Sequence, residues 1–216
     1  MGDRIAILGA GGHAKVVCDA LRRSLVRTHG AEIVGFFDDD RARWGQTLMG
    51  VPIHGPIERL PDVPVDRVIV GIGDNAVRRR LAEWVAARGY RLVNAIHPTA
   101  VIGEDVTIGE GVAIFANVVV NPGSSIGDHV ILNTGAIVDH DCQVGDGAHL
   151  APRATLAGGV IVGEGTFVGT SAAIVPYRKV GRWAVIGAGT VVIDDVPDDV
   201  VAVGVPAKFH PKSREP

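Results

Sequence analysis

A small α/β domain followed by a long parallel β-solenoid is the architecture the 216-residue sequence predicts, and two observations carry it. Taken every sixth residue from Ile102, the chain reads Ile108, Ile114, Val120, Ile126, Leu132, Val138, Val144, Leu150, Leu156, Val162, Val168, Ile174, Val180, Ile186 and Val192, aliphatic throughout. A period of six fits neither a helix nor a simple alternating strand. It fits a hexapeptide solenoid in which each unit supplies one short strand and one corner. The second observation is the strand, Gly-rich turn and helix at the N-terminus, followed by further strand and helix signals before residue 96.

In the first domain, residues 4–8 form an apolar run that ends in Gly9-Ala10-Gly11-Gly12-His13. A helix follows, with Val16, Val17, Ala20 and Leu21 expected on its inner face and Asp19, Arg22 and Arg23 outside. Glu32–Phe37 reads as a second strand ending in Asp38-Asp39-Asp40, and a loop containing Gly45, Gly50 and Pro52 comes next. Residues 67–73 form a third strand, Asp74-Asn75 an N-cap, 76–88 a helix closed by Gly89, and 90–93 a fourth strand. Alternating strands and helices imply a small parallel, Rossmann-like sheet whose ligand crevice lies at the strands' carboxyl ends. The loops 9–13, 38–40 and 73–75 all sit there. Gly9-x-Gly11-Gly12 lacks the full dinucleotide fingerprint, so a nucleotide or nucleotide-sugar pocket is favoured over a complete NAD site. The alternative is that Gly11 and Gly12 only tighten the turn.

His97-Pro98 marks the junction, and the repeats follow without a linker. Beside each buried aliphatic stands Gly at 103, 109, 127, 145, 163, 169, 181 and 187 and Asn at 121 and 133, small or left-handed-tolerant residues where the chain turns. Asp194-Asp195 and Pro197 break the pattern. Three parts are expected: an α/β domain at 1–96, the solenoid at 97–193 and a tail at 194–216.

The composition suits stacked short strands: 47% hydrophobic, only 5% aromatic, with 29 glycines. A net charge of −3 without a basic block argues against nucleic acid or an acidic membrane as partner. Two cysteines, Cys18 and Cys142, make no disulfide framework, no apolar run is long enough to span a membrane, and a cytoplasmic protein is expected.

For chemistry, the stretch Asn133-Thr134 through Asp139-His140-Asp141-Cys142 stands out. His140, two places past Val138, should project outward between two carboxylates, which would fix its tautomer and raise its basicity as a general base requires. A surface histidine with solvated neighbours is the other reading. His129, His140 and His149 fall at different offsets from the repeat and do not form a column, so no metal is expected within one chain.

The Gly-Ala-Gly-Gly-His start, Ile96-His97-Pro98, the Asn133–Cys142 segment and Gly204-Val205-Pro206-Ala207-Lys208 together resemble the sialic-acid O-acetyltransferase type of sugar O-/N-acetyltransferases. Within that family the chain looks most like bacterial nucleotide-amino-sugar N-acetyltransferases acting on UDP-4-amino sugars or GDP-perosamine. The resemblance implies a left-handed β-helix, a homotrimer, and acetyl-coenzyme A as co-substrate in the groove between neighbouring helices. It places the general base at His140, an acid that raises its basicity at Asp141, coenzyme contacts at His149, Thr170 and Ala188, and the nucleotide sugar at Gly11, Gly12, His13, Asp38, Asp39 and Gly73. Asp141 is the departure, since close relatives can carry glutamate there and a shorter arm reaches less far. Sialic acid O-acetylation and a non-enzymatic trimeric scaffold are the rival readings.

Overall fold

The computed structural model describes residues 2–25 and 30–212. Residues 1, 26–29 and 213–216, the last being the end of the expected tail, lie outside the described residues. The chain divides into two units, Met1–Pro98 and Thr99–Pro216.

In the first unit, β1 (Arg4–Leu8), α1 (Gly12–Leu25), β2 (Glu32–Phe37), β3 (Thr47–Leu48), β4 (Val51–Pro52), β5 (Arg67–Val70), α2 (Asn75–Ala86), β6 (Arg91–Leu92) and β7 (Ala95–Ile96) follow in order. The sheet order is β2-β1-β5-β6, and every pairing is parallel. Strand order therefore reverses between β1 and β5, which places the crevice of an open α/β sheet at their carboxyl ends. Near-continuous Ile5-Ala6-Ile7-Leu8 and Val68-Ile69-Val70 suit strands covered on both faces, and all seven are buried. On α1 the buried stripe is Ala14, Val17, Cys18 and Leu21 with Ala20, at helical spacing, whereas Val16 is 40% exposed, contrary to the expected inner face. The stretch read as a plain loop contains the β3–β4 hairpin and 3-10 turns at Arg41–Arg43 and Ile57–Asp62. The hairpin is tied to β2 by a bridge, Phe36 to Ile53, that no local pattern announces.

In the second unit, sixteen two-residue strands run from β8 (Val101–Ile102) to β23 (Val191–Val192). The first thirteen each pair in parallel with the strand three units further on, as in Ile102–Val120–Val138–Leu156–Ile174–Val192 along the first face. Three hexapeptides thus make one coil. The fourteen aliphatics from Ile114 to Val192 are at most 3% exposed, while Ile102, in the first coil, is 37% exposed. A second inward column stands two residues before each aliphatic. Val, Ala, Ser, Thr or Cys fills it apart from Arg178, and Ser124, Cys142 and Thr166 are as buried as their alanine neighbours. Two of the column's three hydroxyls are satisfied by backbone: Ser124 Oγ donates to Asp139 O at 2.8 Å, and Thr166 Oγ1 to Gly181 O at 2.6 Å, whereas the buried Thr190 Oγ1 has no hydrogen-bond partner among the described residues.

The turning residue is not the one expected. Left-handed φ recurs every six residues from Asp105 to Gly189, three places past each aliphatic, and several of those sites are not glycine: Asn117, His129, Asp141, Arg153 and Trp183 among them. The glycines directly after the aliphatics have another reason to lack a side chain, the closeness of the next coil. A Cβ on Gly163 would lie 2.6 Å from Arg182 N and 2.7 Å from the Gly181 carbonyl carbon. Gly163→Ala must spread two hydrogen-bonded coils, an overpacking strain of about 1–3 kcal/mol. Chemical denaturation of the variant should show that loss, and an unchanged midpoint would count against close stacking as the reason for glycine.

The sixfold sequence pattern stops at Val192 but the stacking continues. Val196 bridges Val180, and β24 (Val200–Val203) adds to the strand Val185–Ile186 in parallel before β25 (Lys208–Pro211) folds back antiparallel.

Candidate active site

His140 leaves the solenoid at the corner after the first face, its side chain 52% exposed. Its Nδ1 donates to Asp141 Oδ2 at 2.8 Å. Asp141 occupies the left-handed corner position, φ 58°, which turns its short arm back onto the imidazole of the preceding residue. The shorter acid therefore makes the bond that its length put in question. Asp139 supports the pair from the other side. Its Oδ1 accepts the His140 N–H at 2.8 Å and the Asn121 amide at 2.7 Å, from the coil before.

These contacts set the electrostatics. The Asn121 bond, then the His140 N–H, holds Asp139 below the usual carboxylate range. The Asp141 bond first, and the Asp139 charge second, raise the His140 pKa above its ordinary value. With Nδ1–H committed to Asp141, Nε2 keeps the free lone pair, the form a general base needs. The ring lies over Gly158, one coil on, where a Cβ would come within 2.6 Å of both Cε1 and Nε2. Local sequence signals do not mark Asn121 and Gly158 as site residues, yet both are found by moving three hexapeptides along the chain from Asp139 and His140.

Cys142 is a core residue: fully buried, Sγ donating to Ala157 O at 3.2 Å, its thiol pKa pushed up by burial. It has no thiolate to offer as a nucleophile.

His149 stands on the third face, 7% exposed, with its ring edge-on to Phe167 at 5.1 Å between centroids. The Asn133 amide donates to its Nε2 at 3.2 Å. Thr170 and Ala188 are exposed and stack one coil apart at the corner after the third face. Within one chain, then, the expected coenzyme residues and His140 occupy different edges of the solenoid. Among the described residues no group of three His, Cys, Asp or Glu could hold a metal ion.

The loops of the first unit form a second cluster. Gly11 and Gly12 have no left-handed φ, and a Cβ on either would meet nothing within 4 Å. Neither turn geometry nor internal packing asks for glycine there. What glycine leaves is bare backbone at the N-terminus of α1, where a helix attracts anions. The adjacent turn is clamped. Asp38 accepts the Ala10 N–H at 2.6 Å and the Asp40 N–H at 2.9 Å, while Arg43 donates to Ala10 O at 2.6 Å. Asp39 Oδ1 accepts the Ile57 N–H at 3.0 Å. The resemblance puts Asp38 and Asp39 at the nucleotide sugar, and the structure shows both shaping the loop; the sequence gives no sign of Arg43, whose partner lies 33 residues away. Asp74 caps α2 as expected, accepting the Val77 N–H at 2.8 Å. His13 lies against Gly73, and burial, aided by the Arg78 charge, lowers its pKa to about 4, so it is neutral.

Comparison with known proteins adds the rest. The PglD N-terminal domain model matches residues 4–85, and the GMPPB C-terminal domain model matches residues 93–182. A mutant of the GDP-perosamine N-acetyltransferase from Caulobacter crescentus, solved with CoA and GDP-perosamine, is 44% identical, with 96% of each chain covered and a TM-score of 0.89. The acetyltransferase domain of PglB from Neisseria gonorrhoeae, solved with acetyl coenzyme A, is 35% identical over 97% of this chain and 100% of that one, TM-score 0.87. A UDP-N-acetylbacillosamine N-acetyltransferase from Bacillus subtilis is 37% identical over 115 residues, a match that spans 52% of this chain and 51% of that protein.

Proposed function

Because the chain belongs to the acetyl-coenzyme A-dependent nucleotide-amino-sugar N-acetyltransferases, in which a small α/β unit precedes a left-handed parallel β-helix, we propose that it acetylates the amino group of a UDP- or GDP-linked 4-amino-6-deoxyhexose destined for a surface glycan. The observation that carries this reading is the His140–Asp141 pair, outward-facing, tautomer-fixed and raised in basicity. Two of the matched proteins are named for GDP-perosamine and for a bacillosamine derivative, which makes 4-amino sugars the first substrates to test.

Transfer is direct. The sugar amine attacks the thioester carbonyl carbon, the C–N bond forms, and the C–S bond breaks to release coenzyme A. His140 Nε2 takes the proton lost by the nitrogen and returns it to the departing sulfur, while N–H donors stabilise the oxyanion. Asp141 holds the imidazole in register. Gly11, Gly12, His13, Asp38, Asp39 and Gly73 hold the nucleotide sugar, its phosphates at the bare amides that open α1. His149, Thr170 and Ala188 meet the coenzyme. Their separation from His140 around the coil is reconciled by a homotrimer, in which one groove takes residues from two chains. In keeping with that, the outward column of the first face is Val101, Val119, Ile137, Thr155, Ala173 and Val191, without a charge, whereas Lys179 and Gln143 stand on the second. A cytoplasmic enzyme supplied by nucleotide-sugar metabolism completes the proposal; among the described residues no helix is long and apolar enough to cross a membrane.

The test is coenzyme A thiol release from acetyl-coenzyme A against a panel of UDP- and GDP-amino sugars and sialic acid, with a no-substrate blank for Cys18 and Cys142. Release with one nucleotide amino sugar is the expected outcome. Release with sialic acid alone would make the protein an O-acetyltransferase. Silence across the panel, with no thermal shift from coenzyme A, would favour a trimeric scaffold.

A further inference from the structure

A buried arginine lies beneath the crevice of the α/β unit. Arg78, in the first turn of α2, is 1% exposed. Its guanidinium turns back onto the chain that enters the helix. Nη1 donates to the carbonyls of Ile72 at 3.2 Å and Gly73 at 3.1 Å, and Nη2 to Asn75 Oδ1 at 2.9 Å. Burial lowers its pKa to about 10, which still leaves it cationic at neutral pH. A guanidinium withdrawn from water is costly, and here its planar fork bonds three groups of one short segment, the 72–75 turn between β5 and α2. That turn faces Gly9–His13 across the point where strand order reverses, and Gly73 lies against the His13 ring.

We infer that Arg78 is a positioning residue for the nucleotide sugar: it fixes the Ile72 and Gly73 carbonyls and the Asn75 amide, and so sets the wall against which His13 and the nucleotide pack. This rests on the reading of the crevice as the nucleotide-sugar site. A lysine keeps the charge but not the fork, and a methionine keeps only the stem.

The experiment compares Arg78→Lys and Arg78→Met with the parent protein in three measurements: steady-state kinetics with the active amino sugar, calorimetric binding of coenzyme A, and amide hydrogen exchange. Arg78→Met should raise KM for the nucleotide sugar by about tenfold or more, the loss of one charge-assisted hydrogen bond or more. It should also speed exchange at the 72–75 amides, with kcat and coenzyme affinity kept within about threefold, and Arg78→Lys should fall between. Parent-like KM and exchange in the methionine variant would overturn the inference. So would an equal decline in coenzyme affinity, kcat and solenoid protection, which marks general destabilisation. Should the methionine variant not fold, the lysine variant decides by the same two readouts. A parent protein inactive on every nucleotide sugar sinks the proposed function instead, and the exchange comparison, made without ligand, still decides the role of Arg78.

Discussion

His140→Ala lowers kcat by about 10²–10⁴-fold, the range a positioned general base supplies, while coenzyme A and the nucleotide sugar still bind. The side chain is exposed and carries no core packing, so the variant's melting temperature stays close to the parent's. The pH profile separates a base from a mere prop. An acceptor must be unprotonated, so kcat climbs with pH through the His140 pKa, which Asp141 and Asp139 raise above the ordinary value. Asp141→Asn removes the larger of the two influences and moves that limb toward lower pH. It also lowers the plateau, because an amide no longer selects the Nδ1–H tautomer. Turnover within about threefold of the parent for His140→Ala across pH 6–9 would rule out the base role, since so small a change falls far below what proton transfer contributes.

Gly158→Ala should do nearly as much harm without touching a reacting atom. The added methyl would sit 2.6 Å from Cε1 and Nε2 of His140, closer than any carbon contact allows, so the imidazole must swing away and strain its bond to Asp141. Displacing a catalytic group by about 1 Å commonly costs about 10²-fold in rate. The backbone at Gly158 is not left-handed, so alanine adds no conformational strain and the fold should survive. Parent-like kcat in a folded Gly158→Ala protein would mean that the imidazole works from a different position.

What can be read from the sequence follows from how local each cause is. The inward aliphatics repeat without interruption because every coil buries the same columns, and the strand-turn-helix start declares itself within one contiguous stretch. The left-handed corners do not declare themselves. Asp141, His129 and Trp183 share a backbone conformation but no chemistry, because the stacked coils on either side impose it. The glycines at 163 and 169 are plain in the sequence, but their reason lies one coil downstream at Arg182 and Ala188. The same step separates the legible half of the site from the rest. His140 and Asp141 are neighbours in sequence and are read together. Asn121 and Gly158 reach them only through the stacking of coils, and Arg43 reaches Ala10 only through the packed sheet.

A chain that advances in coils of three hexapeptides also behaves as a ruler. Neighbouring strands stand about 4.8 Å apart, so each whole coil inserted or removed changes the length of the prism by that step and leaves every column aligned. An insertion of other length that breaks the register between positions 121 and 139 parts Asn121 from Asp139, and one between 140 and 158 parts Gly158 from His140. The axial distance between any two residues of one column is therefore quantised: evolution or an engineer can lengthen or shorten the prism and keep its columns only one full turn at a time.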